Sequence, residues 1–355
     1  MTTAVRLGLA ALAVGMALGT STVGAQPATT TVSADDLIAF VSIRSGDPHI
    51  YVHSAGTDRQ ITEGKGVHTH PSLSADGRLA YVKSIGGLGK VFITDPGGAN
   101  ARRLTLGDRI ETSPSWSPDG RFLALFSSDP AKPGMELQIV DVRDGRTTVV
   151  GADGRNKGPT TVSWSADGSR LAFLGADAKG RNQVYAVGRD GSGLVELSSK
   201  FNDRNKAGAQ ISPDGTRVVF TADARQRRPV VVAEVATGVL TELTPEKDAG
   251  YEVARWSPDG RELAVVRVAD LGNPDSRNDI FVMGAQGGAM RNVSRHPGED
   301  FDPHWAPDGR SIVFASLRTG TSMLYRVNLV NGQTQAVSNG HRSHDMDHVV
   351  RAAPQ

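Results

Sequence analysis

The chain has 355 residues, no cysteine, and 39 basic against 38 acidic side chains, so its formal net charge is +1. The absence of cysteine excludes disulfide scaffolds, thiol nucleophiles, iron–sulfur clusters and thiolate zinc sites, and the near-zero charge leaves no electrostatic footprint for nucleic acid. Its 41 glycines exceed the usual share of about 7%, which predicts a chain with many turns.

The first 25 residues have the pattern of a secretory signal peptide. Arg6 is their only charged residue, and an apolar run follows from Leu7 to Leu18. This run is shorter than the about 20 residues that a membrane helix needs, and small residues at Val23–Ala25 precede the predicted cleavage site. An uncleaved membrane anchor is the alternative. We expect cleavage after residue 25, a flexible leader at residues 26–34, and a periplasmic or secreted mature protein with no membrane span.

Residues 37–62 contain three short runs that match strands, with no turn motif before them. The runs are Ile38–Val41, Ile50–Val52 and Gln60–Thr62. Short runs rich in β-branched and aromatic residues predict strands. These three match the last three strands of the repeat that follows them in the chain.

One five-residue turn recurs six times along the rest of the chain. Its aspartates are separated by 43, 48, 47, 45 and 49 residues, and all four tryptophans occupy its first position. Proline presets φ in the turn, aspartate can bond back to the backbone, and glycine takes the positive φ that reverses the chain, so each copy predicts a hairpin. The copies are Leu73–Gly77, Trp116–Gly120, Trp164–Gly168, Ile211–Gly215, Trp256–Gly260 and Trp305–Gly309.

Each turn is followed by three short runs of strand-forming residues. The first run is apolar on both faces, as in Leu79–Val82 and Leu263–Val266. A variable polar loop leads to a second run, such as Val91–Ile93, and a glycine-containing turn leads to a third, such as Arg103–Thr105. The strand that leads into the turn is the first of the unit, and the three runs after the turn are its second, third and fourth strands. Four strands in a period of about 45 residues are typical of a propeller blade. The sequence therefore predicts an all-β fold, a β-propeller of four-stranded antiparallel blades.

The ends of the chain decide the number of blades. The three runs in residues 37–62 and the six later units give seven sets of three strands, but only six first strands. The missing strand is predicted at Asp345–Val350, which resembles Asp300–Trp305 of the preceding repeat. The ring would then close by pairing its N- and C-terminal strands within one blade, which leaves no open edge. We favour seven blades over six, in one domain at residues 35–350 with a tail at 351–355.

The Trp-Ser-Pro-Asp-Gly turn, with a Leu-Ala strand, an Ile-Tyr-Val-like strand and a Leu-Thr-like strand after it, resembles the propeller repeat of the TolB family. The resemblance covers essentially the whole mature chain and implies a periplasmic protein that works with Pal and other Tol proteins at the cell envelope. TolB proteins also carry an N-terminal α/β domain. Only about nine residues separate the predicted cleavage site from the first strand, so we expect this domain to be absent. The same blades occur in prolyl-oligopeptidase-type peptidases and oligogalacturonide lyases.

All nine histidines lie near the two ends of the chain, which a closed ring brings together. The residues just before each turn motif begin a first strand and are expected to face the mouth of the central channel. One arc of that mouth is therefore predicted to be rich in imidazole and carboxylate groups, which suit zinc, manganese or iron. The alternative is a hydrated channel mouth with no cofactor. The candidate ligands of a divalent transition metal are His68, His70, His304, His344, Asp347 and His348.

Two functions are compatible with these features. The chain has no Gly-x-Ser-x-Gly motif, so no peptidase nucleophile and no other catalytic residue is predicted. We favour a monomeric, non-enzymatic scaffold that binds an envelope protein or peptide across its channel face. The alternative is a metal-dependent enzyme that resembles oligogalacturonide lyase, in which a cation acidifies the proton next to a uronate carboxylate. The acidic arc favours binding over this chemistry, because Arg255 is its one nearby cation.

Overall fold

The computed structural model describes residues 36–352, with gaps at 106, 132–133, 151–160, 178, 180, 202–205, 223–227, 245–249, 269–276 and 339–345. The predicted signal peptide and leader lie outside the described residues. In the described part of the chain, 28 strands are accompanied by two single-turn 3-10 helices at Pro96–Gly98 and Ser199–Phe201. No helix in this part of the chain is long and apolar enough to cross a membrane.

The strands form seven four-stranded antiparallel sheets, which we number as blades in chain order. Blade 1 consists of the last strand of the chain, β28 (Met346–Ala352), followed by β1 (Asp36–Ser42), β2 (His49–Ser54) and β3 (Thr57–Gln60). Blade 2 consists of β4 (His68–Leu73), β5 (Leu79–Ile85), β6 (Leu88–Ile93) and β7 (Arg102–Arg103). Blade 3 consists of β8 (Ile110–Trp116), β9 (Phe122–Ser128), β10 (Glu136–Asp141) and β11 (Thr147–Val150).

The other four blades repeat this order of first, second, third and fourth strand. Blade 4 consists of β12 (Val162–Trp164), β13 (Arg170–Ala176), β14 (Asn182–Gly188) and β15 (Val195–Glu196). Blade 5 consists of β16 (Lys206–Ile211), β17 (Arg217–Ala222), β18 (Val230–Glu234) and β19 (Leu240–Glu242). Blade 6 consists of β20 (Gly250–Trp256), β21 (Glu262–Val268), β22 (Asn278–Gly284) and β23 (Met290–Asn292). Blade 7 consists of β24 (Asp300–Trp305), β25 (Ser311–Ser316), β26 (Met323–Asn328) and β27 (Thr334–Ala336).

The first strands of the blades form a closed ring around the channel. Neighbouring first strands contact each other from β4 through β24, and β28 contacts both β24 and β4. Within blade 1, β28 pairs antiparallel with β1, which places Leu37 opposite Arg351 and Ile38 opposite Val350. The predicted seven blades and their closure by the two chain ends are confirmed, and the six-bladed alternative is wrong. The closing strand ends at Ala352, two residues beyond the predicted domain boundary.

The recurrent turn joins the first and second strands by the predicted chemistry. In blade 3, Ser117 Oγ donates to Asp119 Oδ1 over 2.5 Å, and the same carboxylate oxygen accepts from the backbone N–H of Arg121 over 3.0 Å. Gly120 takes a φ of 65°. Glycine adopts this left-handed conformation at a lower free-energy cost than any other residue. This explains why glycine ends every copy of the motif.

A hydroxyl after the fourth strand ties that strand to the third. In blade 5 the backbone N–H of Val230 donates to Thr244 Oγ1 over 3.1 Å, and in blade 6 that of Ile280 donates to Ser294 Oγ over 3.1 Å. Both hydroxyl residues are buried. A buried backbone N–H without a partner is costly, so this bond explains the Leu-Thr-like end of each repeat.

The hydrophobic core lies between the blades. All six residues of β25 are buried, because this second strand has a neighbouring blade on each face. Three of the four tryptophans of the turn motif add a hydrogen bond between blades: Trp164 Nε1 donates to the carbonyl of Ser115 over 3.1 Å, Trp256 Nε1 to that of Gln210 over 3.1 Å, and Trp305 Nε1 to that of Arg255 over 3.0 Å. Each acceptor lies on the first strand of the preceding blade. A buried indole N–H usually finds an acceptor, and these three bonds help to fix the spacing of the inner wall. The buried Nε1 of Trp116 has no such acceptor.

Candidate functional site

Five of the first strands share a β-bulge. The strand register shifts in β4, β8, β16, β20 and β24, and each bulge contains one residue in the left-handed region. This conformation costs about 1–3 kcal/mol for a residue other than glycine, and bulges re-aim side chains. The same backbone thus presents four different side chains and one glycine, all half-buried, along the inner wall. They are His70, Ser113, Gly208, Val253 and Asp302, with φ of 53°, 52°, 64°, 46° and 50°.

Asp302 is the centre of a cluster that joins blade 7 to the closing strand. His304 lies two residues further along β24, and His348 reaches the same point from β28. His304 Nε2 is 3.4 Å from Asp302 Oδ1, and His348 Nδ1 is 3.5 Å from Asp302 Oδ2. The two imidazole rings are 4.6 Å apart between centroids. Within the described residues, this is the one group of three or more such side chains whose ligand atoms could surround a metal ion.

The charge of this cluster is set by Arg255 on β20. Its Nη2 donates to Asp302 Oδ1 over 2.8 Å. Burial and the positive charge of Arg255 lower the pKa of His304 from 6.5 to about 3, against the opposing effect of Asp302. Burial alone raises the pKa of Asp302, but His304 and Arg255 outweigh it and hold that pKa well below its usual value. At neutral pH the cluster therefore contains a carboxylate, a neutral His304 imidazole and a guanidinium.

The orientation of His348 follows from its other ring nitrogen. Nε2 lies 3.3 Å from the backbone carbonyl oxygen of Val313, which can only accept a hydrogen bond. Nε2 therefore carries a proton, and Nδ1 faces the carboxylate of Asp302. A carbonyl that orients an imidazole in this way is typical of the outer shell of metal sites.

The structure places the other predicted ligands differently. His68 is buried against His49, with ring centroids 4.8 Å apart, and against Tyr81, so it belongs to the packing between blades 1 and 2. His70 occupies the bulge of β4, and its Nδ1 is 3.0 Å from Thr69 Oγ1. Of the six predicted ligands, the structure brings together His304 and His348. His344 lies outside the described residues, as does the side chain of Asp347, whose backbone is part of β28.

Asp302 was not among the ligands predicted from the sequence, although it shares the channel level with His304. The spacing of two residues does not identify it, because the bulge between Phe301 and His304 breaks the alternation of the strand. Arg255 was placed near this arc from the sequence, but its pairing with Asp302 was not predicted. It reaches the cluster from a neighbouring blade, and sequence spacing carries no information on that contact.

Comparison with known proteins agrees with the architecture. The family model of the TolB beta propeller domain matches residues 24–159 and 228–351. A TolB homolog from Chlorobium luteolum is 27% identical over 173 residues, which cover 48% of this chain and 37% of that protein. The Tol-Pal system protein TolB of Bordetella pertussis is 28% identical over 166 residues, which cover 46% of this chain and 34% of that protein. The chain thus spans about a third of the length of these curated relatives.

A solved structure that is similar over more of the chain is the oligogalacturonate lyase of Vibrio parahaemolyticus. Its TM-score is 0.66 at 16% identity, with 83% of this chain and 87% of that chain covered. Identity this low shows a shared propeller fold and nothing about activity. The family model, in contrast, matches well over half of the residues. Together with the seven blades and their repeated turn, this match shows that the chain belongs to the TolB beta propeller domain family.

Proposed function

We propose that this protein is exported to the cell envelope and binds a protein or peptide at the mouth of its central channel. The observation that carries the proposal is the set of left-handed bulges in five first strands. Fold stability alone does not require strained backbone at the same place in successive blades, and such strain is concentrated at functional sites. The strain is retained even at Val253, where a β-branched side chain makes the left-handed region least favourable.

The chemistry of the bulge residues suits recognition of a polypeptide. They offer an imidazole, a hydroxyl, a half-buried glycine backbone, an apolar side chain and a carboxylate in one ring. A rigid ring with varied side chains provides specificity at low cost in conformational entropy. One relative is named for the Tol-Pal system, so an envelope partner of the Pal type is the first candidate to test.

The alternative is a metal-dependent enzyme of the oligogalacturonide lyase kind. The cluster of Asp302, His304 and His348 favours it, because a cation held there would face the inner wall. We prefer the binding function, since the guanidinium of Arg255 is already paired with Asp302, leaving the cluster without a separate cation for a uronate. If the alternative is right, the metal-loaded protein forms an unsaturated product from acidic oligosaccharides. If the protein has only the binding function, no such product forms.

Site-specific photocrosslinking in the source organism tests the proposal. A photoreactive residue replaces Ser113 in the bulge of β8, and in a matched control it replaces Val330 in the exposed turn after β26, at the opposite end of the strands. We expect the Ser113 protein to form one discrete adduct with an envelope protein or peptide, recovered from the periplasmic fraction. Adducts of equal yield at both positions, or none at Ser113, would contradict a binding site at the mouth.

A second variant tests the apolar member of the ring. Val253→Asn places in the left-handed region a residue that adopts it readily, which offsets the loss of the contact between Val253 and the core cluster of blades 6 and 7. We expect the variant to remain folded, which urea denaturation measures. Its side chain is polar where the natural one is apolar, and we expect it to weaken the adduct formed at Ser113. An unchanged adduct yield would mean that the ring of bulge residues is not the contact surface.

A further inference from the structure

We infer that Asp302, His304 and His348 form a zinc site that clasps the closing strand β28 to blade 7. The three side chains come from β24 and from the C-terminal strand, two segments that are neighbours only because the ring is closed. A metal ion held by both would link the end of the chain to the blade before it. The scaffold function proposed above does not require this ion, so the two ideas stand or fail separately.

The distances between the ligand atoms are close to those of a tetrahedral site. At metal–ligand distances of about 2.0–2.2 Å, two ligand atoms of a tetrahedron are about 3.4 Å apart. Each oxygen of the Asp302 carboxylate faces one imidazole: His304 Nε2 is 3.4 Å from Oδ1, and His348 Nδ1 is 3.5 Å from Oδ2. One ligand atom from each residue lies within 4.8 Å of the other two, so binding of an ion would draw the three side chains together.

The bulge of β24 explains how one strand supplies two ligands to one point. Its register shifts between Phe301 and His304, and Asp302 takes a φ of 50°. This kink turns the carboxylate toward the imidazole of its own strand, while His348 approaches from β28. Two imidazoles and a carboxylate are the ligand set that zinc accepts, with a fourth position left for water.

The surroundings of His348 suit a metal ligand. Its Nε2 lies 3.3 Å from the backbone carbonyl oxygen of Val313, and its Nδ1 faces Asp302 Oδ2 over 3.5 Å. A carbonyl contact on one ring nitrogen orients the other nitrogen toward the centre of the site. The His348 side chain is fully buried and that of His304 is 19% exposed, so both rings are held by packing.

Arg255 is the competitor of the metal. Its guanidinium donates to the carboxylate oxygen, Asp302 Oδ1, that lies nearest His304. It supplies positive charge to the carboxylate when no ion is bound and opposes the entry of a divalent cation. Removal of this charge is therefore expected to tighten zinc binding, whereas removal of an ordinary structural ion pair has no such effect.

Calorimetric titration of the tag-free, chelator-treated protein with zinc chloride tests the inference. We expect one equivalent to bind and the thermal unfolding temperature to rise with zinc concentration, as linkage requires. His304→Gln and His348→Gln are each expected to lose this equivalent, while the control His68→Gln, altered outside the cluster, retains it. Arg255→Met leaves all three ligands in place and is expected to bind zinc about tenfold more tightly or better.

Two outcomes would overturn the inference. One is the absence of stoichiometric zinc binding in both the natural protein and Arg255→Met. This measurement does not depend on whether the variants of the ligand residues fold. The other is an equivalent that persists in His304→Gln and His348→Gln, which would place the ion elsewhere. Photocrosslinking in the presence of a chelator measures partner binding without zinc. A failure of the zinc proposal is therefore distinguished from a failure of the proposed binding function.

Discussion

His68 shows what burial does to a single ionisable residue of the ring. Its imidazole is stacked on His49 and lies beside Tyr81 between blades 1 and 2. Burial, together with the charges of His49 and Lys83, lowers its pKa from 6.5 to about 4. In the unfolded chain the same imidazole takes up a proton near pH 6.5. Between these two values the unfolded state binds the extra proton, so the free energy of unfolding must fall as the pH falls.

We predict that the free energy of unfolding decreases by about 3 kcal/mol between about pH 6.5 and pH 4 through His68 alone. His68→Phe keeps an aromatic ring in the stack and removes the titration. Urea denaturation across this range is expected to give a flatter pH dependence for the variant, with stabilities at about pH 8 as the reference. Parallel curves for the two proteins would show that another group carries the proton.

At the scale of strands and blades, a buried ion pair joins the last blade to the first. Arg326 on β26 donates to Asp36 at the start of β1, and the two side chains are only 6% and 9% exposed. Removing one partner of such a pair leaves a buried charge uncompensated, which costs about 3–5 kcal/mol. The pair therefore specifies how blade 7 meets the strand that begins the propeller.

We predict that Asp36→Asn lowers the free energy of unfolding by about 3 kcal/mol, and that Asp36→Asn combined with Arg326→Met recovers part of this loss. The matched control is Asp144→Asn, since Asp144 pairs with Arg146 at an exposed turn and such pairs contribute about 0–1 kcal/mol. Chemical denaturation measures all three variants. Equal costs for the two single variants would mean that the interblade pair contributes no more than a surface contact.

At the scale of the whole molecule, the ring depends on seven residues at the C-terminal end. Strand β28 is the first strand of blade 1, and it contacts blades 7 and 2 as well. Arg351 Nε also donates to the carbonyl of Leu73 on β4 over 3.2 Å. Loss of this strand would expose the edge of β1, and a free edge is a template for association between chains.

We predict that deletion of residues 346–355 abolishes the single cooperative unfolding transition and causes self-association. Deletion of residues 353–355 alone is the control, and it leaves β28 intact. Calorimetry and light scattering measure the two effects, and a peptide of residues 346–352 added in trans is expected to restore the transition. A monomeric truncated protein with an unchanged unfolding temperature would show that the ring does not need its closing strand.

The sequence by itself determined the repeat, the turn chemistry and the closure of the ring. Ser117, Asp119 and Gly120 satisfy each other's bonding and φ requirements within a few residues, so their pattern identifies the turn without any tertiary information. The apolar second strands identify the core in the same way, because only a strand covered on both faces lacks polar alternation. Counting these local units to the chain ends was enough to predict seven blades.

Only the tertiary structure decided which polar side chains meet. His68 was expected at the channel and is packed between blades instead, and a bulge breaks the period-two alternation from which the direction of a side chain is inferred. Asp302, His348 and Arg255 come together from three strands, through the rotation of one blade relative to the next. Local chemistry encodes strands and turns, whereas a site between blades exists only when the ring has closed.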